Sequence, residues 1–394
     1  MTARASGLSG ARGGPDGFAE TAARLVAVVP AACPAGTTPP AGAALALRAP
    51  GLESSAAAGL RGVARPGGDE AAAMTVDTHH DVASVTKVVA TTAALLRLVS
   101  DGVVGLDDAA CRYLPGLADG EKASITVRQL LAHRAGLWEW QPLYLAAGDA
   151  RAAAELVERL PLRYLPNTGL HYSDLGFMLL GRIVAAVTGQ SFEDAVRTLV
   201  TEPLGMASTR FAHPARAEVA TSAFGDQCER AMVDTGSPYP VPFRSADFPL
   251  WRREPITGDV CDGNAFHVLD GVSGHAGLFS TLADLVTFGT ALANYAEHEN
   301  LWCPEVAEEF YAPGPDARQA LGFRRYRLDL GSESVVVLGH LGFVGCAVGF
   351  VPGRGIALAL ASNRLLTPGT PIPTEQLWLE VLAAAGRTLR KQAA

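Results

Sequence analysis

Lysine is nearly absent from this chain: Lys87, Lys122 and Lys391 are the only three, against 29 arginines in 394 residues. Charged residues make up 18% and the formal net charge is -8, with no Lys/Arg-rich run, so no nucleic-acid partner is expected. Cysteines are few and scattered. Cys33, Cys111, Cys228, Cys261, Cys303 and Cys346 form no C-x-x-C pair and no zinc-like spacing, which excludes a cysteine-held metal and leaves free thiols as the expectation. No G-x-S-x-G elbow, H-E-x-x-H helix or phosphate-binding glycine loop occurs. No apolar run is long enough for a membrane-spanning helix, so no membrane partner is expected. Residues 1–15 are rich in Gly, Ala, Ser and Arg rather than apolar, and the run 25–29 is too short for the core of an export signal. Pro30-Ala31-Ala32-Cys33 has the outline of a lipoprotein cleavage site without the apolar stretch before it. The chain is therefore expected to be cytoplasmic, with secretion or lipid anchoring as the lesser alternative.

What the chain does have is 48% hydrophobic residues, enough for a large core. Residues 1–17 read as a flexible lead, and 18–29 as a first helix behind Asp16. Strands are expected over 43–47 and 59–64, around the turn-prone Ala49-Pro50-Gly51. From about 88 to 203 the pattern is helical, with helices over 127–133, 152–160, 175–187 and 192–200. Residues 205–260 read as loop, broken by Pro238, Pro240, Pro242, Pro249 and Pro255. A helix over 283–293 precedes strands over 334–338, 345–351 and 356–361, the last two joined by Pro352-Gly353-Arg354-Gly355. A helix over 374–385 closes the chain. Early strands, a helical middle, late strands and a closing helix predict an α+β fold, an α/β sandwich. Its antiparallel sheet is built from both chain ends and flanked by helices. The sheet domain is expected over 18–86 plus 265–394, with an inserted, mostly helical domain over 87–264.

One of the three lysines stands three residues after Ser84, in Ser84-Val85-Thr86-Lys87, where an apolar, Ala-rich helix begins. Such a match arises by chance in roughly one chain in seven of this composition, so its context must carry the argument. On a helix, positions i and i+3 lie about 5–6 Å apart, so the Lys87 amine can meet the Ser84 hydroxyl. A serine at a helix start has free N–H groups beside it, and a neighbouring amine can activate its hydroxyl as a nucleophile. Two further segments offer partners. His171-Tyr172-Ser173-Asp174-Leu175-Gly176 precedes a helix, so Tyr172 and Asp174 can face one cleft; the plainer alternative is a buried tyrosine and an aspartate helix cap. Gly339-His340-Leu341-Gly342-Phe343 ends a Val-rich strand, and its glycines permit close approach of backbone to a ligand. The N–H near Phe343 can pair with that of Ser84 as an oxyanion hole. Trp138 and Trp140 either wall a substrate pocket or pack in the core. Thr78-His79-His80-Asp81 lacks metal-ligand spacing, and no metal or cofactor is expected.

Together these segments resemble the serine β-lactamase-like family, in its branch of class C β-lactamases, D-Ala-D-Ala carboxypeptidases and esterases. The likeness runs from about Gly42 to Arg364. Asp81-Val82-Ala83-Ser84-Val85-Thr86-Lys87 is similar to the family's nucleophile segment, and residues 125–137 to the helix and loop after it. Tyr172-Ser173-Asp174 resembles the Tyr-x-Asn element, residues 273–281 the glycine-rich return to the sheet, and Ala361-Ser362-Asn363-Arg364 the last-strand ending. His340-Leu341-Gly342 stands where relatives carry Lys-Thr-Gly or His-x-Gly.

The resemblance implies a β-lactamase/transpeptidase-like fold and a metal-independent serine hydrolase working through an acyl-Ser84 intermediate. Ser84, Lys87 and Tyr172 would be catalytic, with Phe343, His340, Gly342, Asp174 and Trp138 at the oxyanion and substrate positions. Asp174 replaces the usual asparagine. A carboxylate there favours the ammonium form of Lys87, leaving Tyr172 as general base. His340 replaces a lysine, which weakens the anion clamp and favours esters or neutral amides over carboxylate-bearing β-lactams. The partner expected is a small ester, amide or peptide-like substrate; the oligomeric state is not set by these motifs. Alternatives with the same acyl-enzyme are an acyltransferase or cyclase, a β-lactamase or D-Ala-D-Ala carboxypeptidase, and a non-catalytic acyl-accepting sensor.

Overall fold

A computed structural model describes residues 17–62, 71–211, 215 and 218–393. The expected lead over 1–17 lies almost wholly outside them. Six antiparallel strands form the central sheet, in the order Leu52–Gly59, Gly42–Ala49, Ile356–Ser362, Ala347–Val351, Ser334–Leu341, Arg324–Asp329. Both chain ends thus contribute, as the sequence predicts. Gly42–Ala49 pairs with Ile356–Ser362, aligning Leu45 with Leu360.

Side chains alternate across the sheet because successive strand residues point to opposite faces. Ala44, Ala46, Val348, Phe350, Ala357 and Ala359 face the core shared with helix Leu282–Ala293 and the helical region. Ala43, Leu45, Leu47, Leu358 and Leu360 face the other side, beneath helices Gly17–Leu25 and Thr374–Ala393. Trp378 of the closing helix is fully buried there, fitting the hollow left by Gly349, where a Cβ would lie 2.7 Å from its ring.

Three expectations need correction. The second strand is Leu52–Gly59, not 59–64, because Pro50-Gly51 closes a two-residue turn with Ala49 opposite Leu52, and Gly59 (φ 79°) ends the strand; residues 63 and 64 lie outside the described residues. An edge strand, Arg324–Asp329, was not expected. Its sequence Arg-Arg-Tyr-Arg-Leu-Asp has one fully buried apolar residue, Leu328, and the charges suit an unpaired edge. Within 205–260, the strands Thr221–Phe224 and Pro255–Thr257 pair, and a helix forms over Gln227–Thr235.

The nucleophile segment is more irregular than a plain helix. A 3-10 turn over Ala83–Val85 leads through a wide π-helical stretch, Lys87–Thr92, into α-helix Ala93–Ser100. Such wide turns concentrate at functional sites. By length and composition Ala83–Ser100 is long and apolar enough to cross a membrane, contrary to the sequence reading, yet 78% of it is buried inside the protein.

Candidate active site

Ser84 lies where the helix start meets the end of strand Ser334–Leu341. Ala83, just before it, has φ 45°, a conformation costly for any residue with a Cβ. Strain of this kind costs about 1–3 kcal/mol and survives only where the surroundings impose it. The surroundings do so here: the Asp81 carboxylate accepts the Ala83 N–H at 2.8 Å, and Val82 donates to the Leu278 carbonyl at 3.0 Å. Gly342 passes so close that a Cβ on it would sit 2.4 Å from the Val82 carbonyl oxygen. That packing is why the position after Leu341 is glycine.

Lys87 is completely buried, and its ammonium has three protons with three acceptors around it. Nζ donates to Ser84 Oγ at 2.8 Å and to the His275 carbonyl at 3.1 Å, and it pairs with Asp174 Oδ1 at 2.7 Å. Burial alone would lower the lysine's pKa, but the Asp174 carboxylate and Tyr172 outweigh it and hold the amine above its ordinary value. Lys87 is thus a fixed cation against the serine hydroxyl, as the departure at Asp174 predicts.

Tyr172 is placed by its neighbours. The Ser173 N–H donates to His133 Nδ1 at 3.0 Å, and the Asp174 N–H to the Glu139 carbonyl at 2.8 Å. Ser173, not Asp174, caps helix Asp174–Thr188, its Oγ accepting from the Gly176 N–H at 3.1 Å. The aspartate is therefore free to face Lys87. The Tyr172 ring lies 4.6 Å from that of His133, and Lys87 Nζ lies 5.0 Å from its centre.

Gly342 and Phe343 line the same cavity as Ser84, Tyr172 and Asp174, a space of about 330 Å³. Among the described residues, neither the Ser84 N–H nor the Phe343 N–H donates to another protein atom. Ser84 lies in the 3-10 turn Ala83–Val85 and Phe343 just past strand Ser334–Leu341, two segments that meet where Gly342 packs on Val82 and Ala83. Arg364 fixes Phe343 from behind, donating to its carbonyl at 2.6 Å.

Two expected site residues stand elsewhere. His340 is buried and does not line the cavity; its Nδ1 lies 2.8 Å from the Leu341 carbonyl and its ring 5.7 Å from Tyr172. A carbonyl can only accept, so Nδ1 carries the proton. Burial, with Arg324 and Lys87 nearby, keeps the ring well below its ordinary pKa, hence neutral. Trp138 also stays out of the cavity, because its Nε1–H donates to the Pro161 carbonyl at 3.0 Å and Arg163 stacks on its ring; Trp140 lines the wall instead.

Sequence reasoning missed four lining groups. Arg324, on the unexpected edge strand, stands with its guanidinium 5.2 Å from the centre of the Tyr172 ring and has no ion-pair partner among the described residues. Tyr239 and Glu229 come from the stretch 205–260 read as loop, and Asp262 lies just beyond it, where no element was expected. Asp262 accepts from His275 Nε2 at 3.0 Å and from the Ala265 N–H at 2.8 Å; burial would raise its pKa, but His275 and these bonds hold it low. Glu229, buried beside Asp262, is pushed up to about 8. The only cue to Arg324 was an arginine-rich stretch ahead of the Val-rich strand.

Carboxylate and imidazole atoms of Asp174, Asp262 and His275 lie within 4.8 Å of one another, but the Lys87 ammonium already contacts Asp174 there. Among the described residues His79-His80-Asp81 gathers no ligand set: both Asp81 oxygens accept backbone N–H groups, from Ala83 and Cys261.

A family model described as Beta-lactamase matches residues 38–383. The N-acetylmuramyl-L-alanine amidase of Bacillus subtilis (strain 168) is 32% identical over 323 residues, covering 75% of this chain and 70% of its own. The putative D-alanyl-D-alanine carboxypeptidase of Escherichia coli (strain K12) is 29% identical over 328 residues, covering 77% and 72%. Among solved structures, the D-amino acid amidase from Ochrobactrum anthropi SV3 complexed with D-phenylalanine superposes with a TM-score of 0.63 at 25% identity, over 88% of this chain and 94% of that one.

Proposed function

Because the chain belongs to the beta-lactamase family and is a serine hydrolase, we propose that it cleaves an ester or amide through an acyl group carried on Ser84. The observation that carries this reading is the Lys87 ammonium, whose donors are spent on Ser84 Oγ, Asp174 and the His275 carbonyl inside a substrate-sized cavity. A lysine so held cannot be the free base, so Tyr172, as the phenolate that the ammonium supports, takes the Ser84 proton and becomes the neutral phenol. Oγ then bonds to the substrate carbonyl carbon, and the oxyanion is received by the Ser84 and Phe343 N–H groups. As the bond to the leaving alcohol or amine breaks, Tyr172 returns the proton to it. Water, deprotonated by the same tyrosine, releases the acid and restores Ser84.

Substrate choice follows from the walls. His340 is neutral, as expected of it, but the expectation of a weakened anion clamp leaves out Arg324. Its guanidinium, beside Tyr172 and without an ion-pair partner among the described residues, offers a fork for a carboxylate. The relatives named for D-alanyl peptides, a muramyl amide and D-amino acid amides support an amide or short peptide with a carboxylate directed toward Arg324. Parallel assays of short-chain p-nitrophenyl esters, nitrocefin, D-amino acid amides and N-acylated D-amino acid dipeptides test this. Turnover of the dipeptides above that of their C-terminal amides supports it; equal turnover of both, or turnover of every substrate by Ser84→Ala, contradicts it.

A further inference from the structure

Asp81 is a buried carboxylate that the reaction described above does not use. Its Oδ1 accepts the Ala83 N–H at 2.8 Å and its Oδ2 the Cys261 N–H at 2.6 Å. The first bond holds the strained residue immediately before the nucleophile, and the second holds the residue immediately before Asp262 in the cavity wall. One side chain therefore spans two segments 180 residues apart in sequence. The strand segment His80–Asp81 is anchored in turn by pairing with Phe279–Ser280, just beyond the His275 carbonyl that receives Lys87.

We propose that Asp81 is the positioning residue of this active site: in its ionised form it clamps the Ala83 and Cys261 amides together, holding the Ser84 N–H and Oγ in register with the opposite wall. This rests on the reading of Ser84 as nucleophile. A neutral side chain cannot reproduce the clamp. An amide has one accepting oxygen, so an asparagine must turn its NH2 toward one of the two N–H donors. A protonated carboxyl has the same defect.

The clamp is pH-sensitive. Burial raises the Asp81 pKa to about 6, against the pull of the two N–H bonds; Asp262 raises it further and Arg252 opposes it. Among the described residues, the remaining titratable groups facing it are the Cys261 and Cys346 thiols, both pushed up and so neutral in this range. The ionised carboxylate is also a cost to the fold, since a raised acid pKa means stability declines as pH rises through that range. A residue kept for packing would not carry such a cost.

The test is Asp81→Asn in the full chain, with kcat and KM for a neutral p-nitrophenyl ester measured from pH 5 to 8, together with the melting temperature. The expected result is a kcat about 10- to 100-fold lower at pH 7.5 with KM within about twofold, as for a misplaced reacting group. The melting temperature should be equal or higher, and the wild-type fall in kcat as pH drops through about 6 should disappear. Wild-type kcat with an unchanged acid limb, or parallel losses of kcat and melting temperature with the acid limb kept, would overturn the assignment. Should the variant not fold, the single-turnover acylation rate of the unmodified enzyme decides: a midpoint near pH 6 that Asp262→Asn moves lower supports the clamp. A rate flat from pH 5 to 7 overturns it. Ser84→Ala run alongside separates the two claims, because residual turnover in that variant defeats the nucleophile assignment, not the clamp alone.

Discussion

At the scale of single residues, the chemistry turns on which form of Lys87 is present. Three acceptors surround an amine with three protons when charged, and Asp174 keeps it charged despite burial. Asp174→Asn removes the charge that offsets desolvation, so the Lys87 pKa should drop. With Tyr172 as base and Lys87 as its supporting cation, the alkaline limb of the kcat/KM profile should then move to lower pH. If Lys87 were itself the base, the acid limb would move instead and activity near neutrality would rise. Arg324→Gln gives a second residue-level outcome: KM for a carboxylate-bearing dipeptide should rise roughly 10- to 100-fold, the worth of hydrogen bonds to a charged group, with neutral esters unaffected. The pair Ser84 and Lys87 was legible because i,i+3 spacing alone brings the two side chains together. Arg324 was not, since its place depends on an edge strand whose charged sequence carries no strand alternation.

At the scale of elements, two kinds of signal behaved differently. Strand Ile356–Ser362, helix Leu282–Ala293 and helix Thr374–Ala393 were readable from apolar periodicity and turn residues, though the last runs eight residues further than expected. The wide turn over Lys87–Thr92 was not, because it arises from tertiary bonds such as Thr91 Oγ1 to the Gly274 carbonyl at 2.6 Å. His340 and Trp138 were misplaced for a related reason: sequence fixes that a residue is near a site, while one local hydrogen bond decides which way its ring turns. Beyond Thr374, which lines the cavity and donates to the Gly342 carbonyl at 3.0 Å, the closing helix bears on stability rather than chemistry. Trp378→Ala empties the hollow at Gly349 and should cost about 3–5 kcal/mol in denaturant unfolding. KM should not change, since that face of the sheet lies away from the cavity.

For the whole molecule, buried titratable groups set a stability profile in opposing parts. His80 is lowered to about 3, and His133 and His340 well below the usual value, all by burial first. At these three positions the unfolded chain binds more protons than the folded one below about pH 6.5, and together they outweigh the single opposing proton that Asp81 keeps in the fold up to about pH 6, so stability rises with pH toward 6.5. Glu229 has the opposite sign: raised by burial to about 8, it stays protonated in the fold while the unfolded chain has already released the proton. Stability should thus fall between about pH 6.5 and 8, and a melting series should peak near 6.5. Glu229→Gln should flatten the descending side. The central strands from both chain ends were legible because they are apolar and their turns distinctive, unlike the edge strands Leu52–Gly59 and Arg324–Asp329, and the cavity wall from Thr221 to Asp262 was obscured by prolines that break periodicity without preventing packing. The central claim, an acyl group on Ser84, is tested most directly by intact-mass and peptide mass spectrometry after acid quench during turnover of a p-nitrophenyl ester. A mass increase equal to the acyl group, on the peptide containing Ser84 and lost in Ser84→Ala, is the predicted result. An adduct on another residue, or full turnover by Ser84→Ala, would contradict it.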